Sequence, residues 1–114
     1  MIKMDKTQAQ VQGDEEVYQL SPEVKKYSLL DAGFMETNKG SFRLEHPING
    51  SSPYAARYYL RATVSKDLDS LKLAITDKSG MHNINMFKVK DTENEISDYR
   101  YLMNFLKEKN VLVK

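Results

Sequence analysis

The chain has 114 residues, with 17 basic against 16 acidic side chains, a formal charge of +1 and no cysteine. This composition excludes disulfides, thiolate metal sites and cysteine nucleophiles, and it leaves no overall field to attract a polyanion or an anionic membrane. No apolar run approaches the roughly 18 residues of a membrane span and the polar N-terminus has no signal-like core, so a cytoplasmic protein without membrane association is expected. With no repeat, low-complexity tract or Gly/Ser-rich linker, residues 1–114 read as a single domain.

In chain order, "TQAQVQGDEEVYQL" carries Val11, Val17, Tyr18 and Leu20 around an interrupting Gly13, which predicts one strand or two short ones. "SPEVKKYSLLDAG" follows, with Ser21 as a cap, Pro22 at the first helical position and Gly33 as a left-handed stop, so a helix is predicted over Pro22–Ala32. Its buried stripe would be Val24, Tyr27 and Leu30. The period then changes to two: "FMET", the turn "NKG" and "SFRLEHPI" form a hairpin pattern in which Phe42, Leu44, His46 and Ile48 share one face and Arg43 and Glu45 the other.

After a loop rich in turn residues, "PYAARYYLRATVS" reads as a long strand. Tyr54, Ala56, Tyr58, Leu60, Ala62 and Val64 make its core face, and Arg57, Tyr59, Arg61 and Thr63 lie opposite. "SLKLAIT" continues the meander with Leu71, Leu73 and Ile75 alternating. "MHNINMFKV" predicts a further strand, although Ile84 and Met86 conflict in phase with Phe87 and Val89, so that a bulge is required. The last element is a helix over Glu93–Lys109, opened by a capping box of Thr92 and Glu95 and closed at Asn110. Ile96, Tyr99, Met103 and Leu106 form its stripe, and "VLV" is expected to fold back along a sheet edge.

Strand, helix, antiparallel meander, helix is an α+β order, most simply packed as a curved sheet with both helices on one face and the other face open. It resembles the TATA-binding-protein-like fold. "SPEVKKYSLLDAGF", "GSFRLEHPINGSSPYAARYYLRATVS" and "DYRYLMNFLKEKN" resemble a small bacterial family labelled "putative amino acid metabolism". The resemblance implies a context in amino-acid or sulfur metabolism, reached through a protein partner, and it brings no catalytic residues with it.

The candidate sites follow from these faces. Arg57, Tyr59 and Arg61, with Arg43 and Glu45 on the neighbouring strand, would place guanidinium groups beside an aromatic ring and a carboxylate on the open face. That row serves either as a binding surface or as ordinary cross-strand pairing, with Glu45 or Glu36 as the carboxylate. Tyr101 and Phe105, one helical turn apart and off the main stripe, are either a partner patch or are covered by Val111 and Val113. His46 and His82 lack converging carboxylates, so no metal is expected. "GSS" lacks the strand–turn–helix setting of a serine nucleophile, and no cofactor motif occurs. "KGSFRLEH" is a poor match to an RNA-recognition motif, because Phe42 is expected in the core. The leading reading is a non-enzymatic binding or accessory protein whose protein partner or small anionic ligand meets the open sheet face; the alternatives are a small-ligand enzyme without a recognisable motif and, behind it, an RNA-binding module.

Overall fold

A computed structural model describes residues 6–48 and 58–113. Among them, β1 (Gln8–Ala9) and β2 (Tyr18–Gln19) pair antiparallel, and β3 (Met35–Glu36), β4 (Phe42–Ile48), β5 (Tyr58–Val64) and β6 (Leu71–Thr76) form an antiparallel sheet in the order β3-β4-β5-β6. The two helices are α1 (Lys26–Asp31) and α2 (Glu93–Glu108). The architecture is α+β.

The alternating pattern sets the sheet register. Leu44 lies opposite Ala62 and Ile48 opposite Tyr58, while Leu60 lies opposite Ile75 and Val64 opposite Leu71. Each of these pairs is on the core face, which merges with Tyr99, Met103 and Leu106 of α2. Burial of such side chains contributes roughly 1.5–3 kcal/mol apiece before entropy is charged. The first half of the long predicted strand, with Tyr54, Ala56 and Arg57, lies outside the described residues, as does "GSS".

Both helices end in the same way. Gly33 takes φ +106° and Asn110 φ +62°. After α1, Phe34 N–H reaches Leu29 O at 2.9 Å and Gly33 N–H reaches Leu30 O at 3.2 Å; after α2, Val111 N–H reaches Leu106 O at 3.0 Å and Asn110 N–H reaches Lys107 O at 3.1 Å. These paired bonds satisfy carbonyls that the helix ends would leave bare. Past Asn110 the chain returns beside β2, with Ser21 N–H on Val111 O and Val113 N–H on Gln19 O, both at 2.9 Å.

Three expectations are corrected. The first helix is shorter than Pro22–Ala32, because Lys25 is extended (φ −123°, ψ 161°) and Ser21 closes a separate turn, its Oγ accepting Glu23 N–H at 3.1 Å. Val24 therefore lies outside the helix and cannot set its phase; Tyr27 is 73% exposed and Leu30 47%, while Ser28 and Leu29 face inward. "MHNINMFKV" is not a strand: it keeps one bridge, Asn83 to Thr76, and then forms a 3₁₀ turn at Met86–Lys88. That turn buries Met86 and so removes the conflict of phase. The Thr92 hydroxyl caps no helix N–H; it is buried and shares its hydrogen between Met86 O at 3.1 Å and Val89 O at 3.0 Å, closing the 3₁₀ turn instead.

Candidate functional site

On the sheet face away from the core, Glu45 of β4 stands opposite Arg61 of β5. Arg61 Nη1 pairs with Glu45 Oε1, and Arg43 Nη1 lies 3.8 Å from the same oxygen. Arg61 Nε also donates to Thr76 Oγ1 at 2.8 Å, and Thr76 donates onward to Asp77 O at 3.0 Å. The Arg61 side chain is consequently only 20% exposed. The turn after β6 closes against it: Gly80 has φ +78°, and a Cβ there would stand 2.7 Å from Arg61 Nη2. Asp77 holds that turn by accepting Ser79 Oγ–H at 2.6 Å and Gly80 N–H at 3.0 Å, with His82 Nδ1 at 3.0 Å. The Ser79 hydrogen bond is the main reason that the Asp77 carboxyl titrates below its ordinary range. The sheet thus brings Arg43, Glu45 and Arg61 together, with half-buried Tyr59 on the same face two residues before Arg61, and Arg57 lies outside the described residues. Glu36 is not part of this cluster, since it pairs with Lys26 of α1 at 3.1 Å.

A second surface lies on the core side. α2 leaves the outer part of β4 uncovered, and a cleft of about 320 Å³ opens there between Ala32, Leu44, His46, Leu102 and Leu106, with Tyr101 and Phe105 at its rim. Tyr101 is 70% exposed, so Val111 and Val113 do not cover it; Val111 is spent on packing beside β2. Phe105 is half-buried, with Lys109 Nζ 5.7 Å from its ring centre. His46 Nδ1 lies 2.8 Å from Pro47 O. Since a carbonyl only accepts, Nδ1 carries the proton in the neutral ring and Nε2 offers a lone pair. His82 sits by Asp77 on the other sheet face, so the two histidines do not converge, and no group of three acidic or histidine side chains that could hold a metal occurs among the described residues.

A dense polar cluster lies apart from every candidate site of the sequence. The Asp14 carboxylate is fully buried and accepts four hydrogen bonds: Glu16 N–H at 3.0 Å and Arg100 Nη2 at 2.6 Å on Oδ1, Tyr99 Oη at 2.8 Å and Arg100 Nη1 at 2.9 Å on Oδ2. Arg100 Nη1 also donates to Tyr18 Oη at 2.8 Å. Burial alone would raise the Asp14 pKa, but the bonds from Arg100, Glu16 and Tyr99 outweigh it and hold the group below its usual 3.8. Burial pushes both the Tyr99 and Tyr18 hydroxyls up, and the hydrogen bonds to Asp14 hold Arg100 firmly charged. The only sequence signal was an arginine next to Tyr99 on the buried stripe of α2, and its carboxylate partner stands 86 residues away.

Two comparisons place this geometry among known proteins. A family model described as "Putative amino acid metabolism" (DUF1831) matches residues 4–113. A crystal structure of a DUF1831 family protein from Lactobacillus plantarum is similar over 95% of each chain, with 33% sequence identity and a TM-score of 0.85. Among curated proteins, none matches. With nearly its whole length matched and this fold shared, the chain belongs to the DUF1831 family.

Proposed function

We propose that the chain is a non-enzymatic, cytoplasmic binding or accessory protein that meets a protein partner in amino-acid or sulfur metabolism through Tyr101 and Phe105. One observation carries this reading: the buried groups with displaced pKa values and the apolar cleft are in different places. Asp14, Tyr18, Tyr99 and Arg100 have displaced pKa values, yet they satisfy one another and none lines the cleft. An enzyme needs perturbed groups converging where a substrate sits, whereas an exposed tyrosine beside a half-buried phenylalanine on one helix face suits an interface anchor. The family description supplies the metabolic context. The same reading keeps the TATA-binding-protein-like arrangement, supported by Asp31 of α1 pairing with Lys109 of α2 at 3.2 Å and by Ala32 and Leu106 sharing a cleft with Leu44.

A second reading places the partner on the sheet row of Arg57, Tyr59, Arg61, Arg43 and Glu45. It is favoured by Arg43, whose side chain remains 59% exposed and is only loosely held by Glu45.

Quantitative affinity capture from the native host separates the two. Wild type is compared with Tyr101→Ala/Phe105→Ala and with Arg43→Ala/Arg61→Ala, each verified as folded. Recovery of an enzyme acting on amino-acid or sulfur substrates, lost only with the aromatic pair, supports the leading reading. Loss only with the arginine pair moves the interface to the sheet row. Equal recovery by all three proteins, or turnover of an amino acid by the purified chain, overturns the proposal.

A further inference from the structure

The cleft beneath Tyr101 has a chemistry of its own, separate from the partner reading. Its wall is Ala32, Leu44, Leu102, Leu106 and the inner side of Phe105, and no charged side chain lines it. Its volume of about 320 Å³ is at the small end of ligand sites, and about twice that of an apolar cavity that accepts benzene. Two polar side chains, His46 and Tyr101, reach it. With Nδ1–H committed to Pro47 O at 2.8 Å, the neutral His46 ring can only accept through Nε2.

From this combination we infer that the cleft is a binding site for a small neutral aromatic molecule of one or two rings that carries a single N–H or O–H donor. The aliphatic wall and the Phe105 ring take the flat apolar body. Nε2 of His46 then takes the donor. An anion has no cation in the wall to meet it, and a molecule with several polar groups would leave most of them without partners against aliphatic carbon.

Indole and 1-methylindole test this directly, since the two differ by one methyl group and by the donor. Titration followed by NMR, with assigned methyl groups of Leu44, Leu102 and Leu106 as reporters, reads both affinity and place. Indole is expected to shift these methyls and to bind about three- to tenfold more tightly than 1-methylindole, the effect of one hydrogen bond. His46→Phe keeps the wall apolar on an exposed position and should erase that difference; Leu102→Arg should remove both titrations by putting a charge in the cleft. His46→Phe leaves Tyr101 and Phe105 in place and should therefore retain capture of the partner while it erases the indole preference, so that failure of the partner reading and failure of this one are distinguishable. Equal affinity of the two probes for wild type, a preference that survives His46→Phe, or shifts confined to other parts of the molecule would each overturn the assignment.

Discussion

Two arginine–carboxylate pairs occupy opposite kinds of ground in this molecule. Arg100 and Asp14 join α2 to the segment between β1 and β2, with the carboxylate wholly out of water. Arg61 and Glu45 join neighbouring strands on the outer sheet face, with Glu45 45% exposed. The chemistry is alike and the energetics are not. A buried carboxylate has lost its hydration and must be repaid by geometry, which the fork of Arg100, the Tyr99 hydroxyl and the Glu16 N–H supply. An exposed one keeps water as a reserve partner, so its arginine contributes little to folding. Position decides what the pair does: the first holds two regions together, and the second leaves a surface that function can use.

The comparison breaks most sharply at Asp14. Asp14→Ala is expected to cost about 3–5 kcal/mol, because Arg100 would remain half-sheltered beside Phe87 and Tyr99 without a counter-charge and the Tyr99 hydroxyl would lose its acceptor. Chemical denaturation measures this loss. A cost below that of Glu45→Ala would invert the comparison and show that water reaches the site.

Acid titration sharpens the same point. The folded-state pKa of Asp14 lies below the unfolded value near 3.8, so its contribution is complete above that pH and is lost as the pH falls through the folded value. Stability of the wild type and of Asp14→Asn, measured from pH 6 downward, should therefore differ most near neutrality and converge in acid below about 4. Subtracting the variant cancels the parallel titrations of Asp69 and Asp77, whose carboxyls are also held low. A constant gap across the range would mean that the carboxylate charge is not what the site uses.

The two pairs were also unequally legible in the sequence, for a physical reason. Glu45 and Arg61 lie on strands whose alternation is local, so their shared face follows from counting by twos once the hairpins are placed. The same count predicts Tyr59 and Arg43 on that face, while Arg57 lies outside the described residues. α2 was legible because sixteen consecutive residues keep one helical phase. α1 was not: six residues hold too little pattern, and Val24, which stands before the helix, gave the wrong starting phase and turned Tyr27 and Leu30 inward. The Asp14–Arg100 pair has no local signature, since neither residue looks unusual until the fold has brought them together. The His46 cleft was hidden in the same way, for the open side of β4 depends on how far α2 reaches across the sheet.

A smaller effect lies at Gly80, where the turn closes on Arg61. Gly80→Ala should cost about 1–2 kcal/mol, from the left-handed backbone and from contact of the new methyl with the guanidinium. Repeating the substitution in an Arg61→Ala background separates the two causes. If the steric part matters, the cost falls in the double variant; an unchanged cost assigns all of it to the backbone and leaves the turn free of Arg61.

The smallest effect is expected from Arg61→Ala alone. Removing the guanidinium takes one donor from Thr76 Oγ1, but that hydroxyl still donates to Asp77 O, and Glu45 turns to water or to Arg43. The loss should be about 0.5–1 kcal/mol, several-fold below that of Asp14→Ala. Because the fold tolerates this change, the residue can report on function. If the sheet row meets the partner, Arg61→Ala combined with Arg57→Ala abolishes capture while the unfolding midpoint moves only slightly. If the row only pairs strands, the folded double variant retrieves the same proteins in the same amounts. A loss of stability as large as that of Asp14→Ala would sink the comparison itself, since the pair with the exposed carboxylate would then matter to the fold as much as the pair with the buried one.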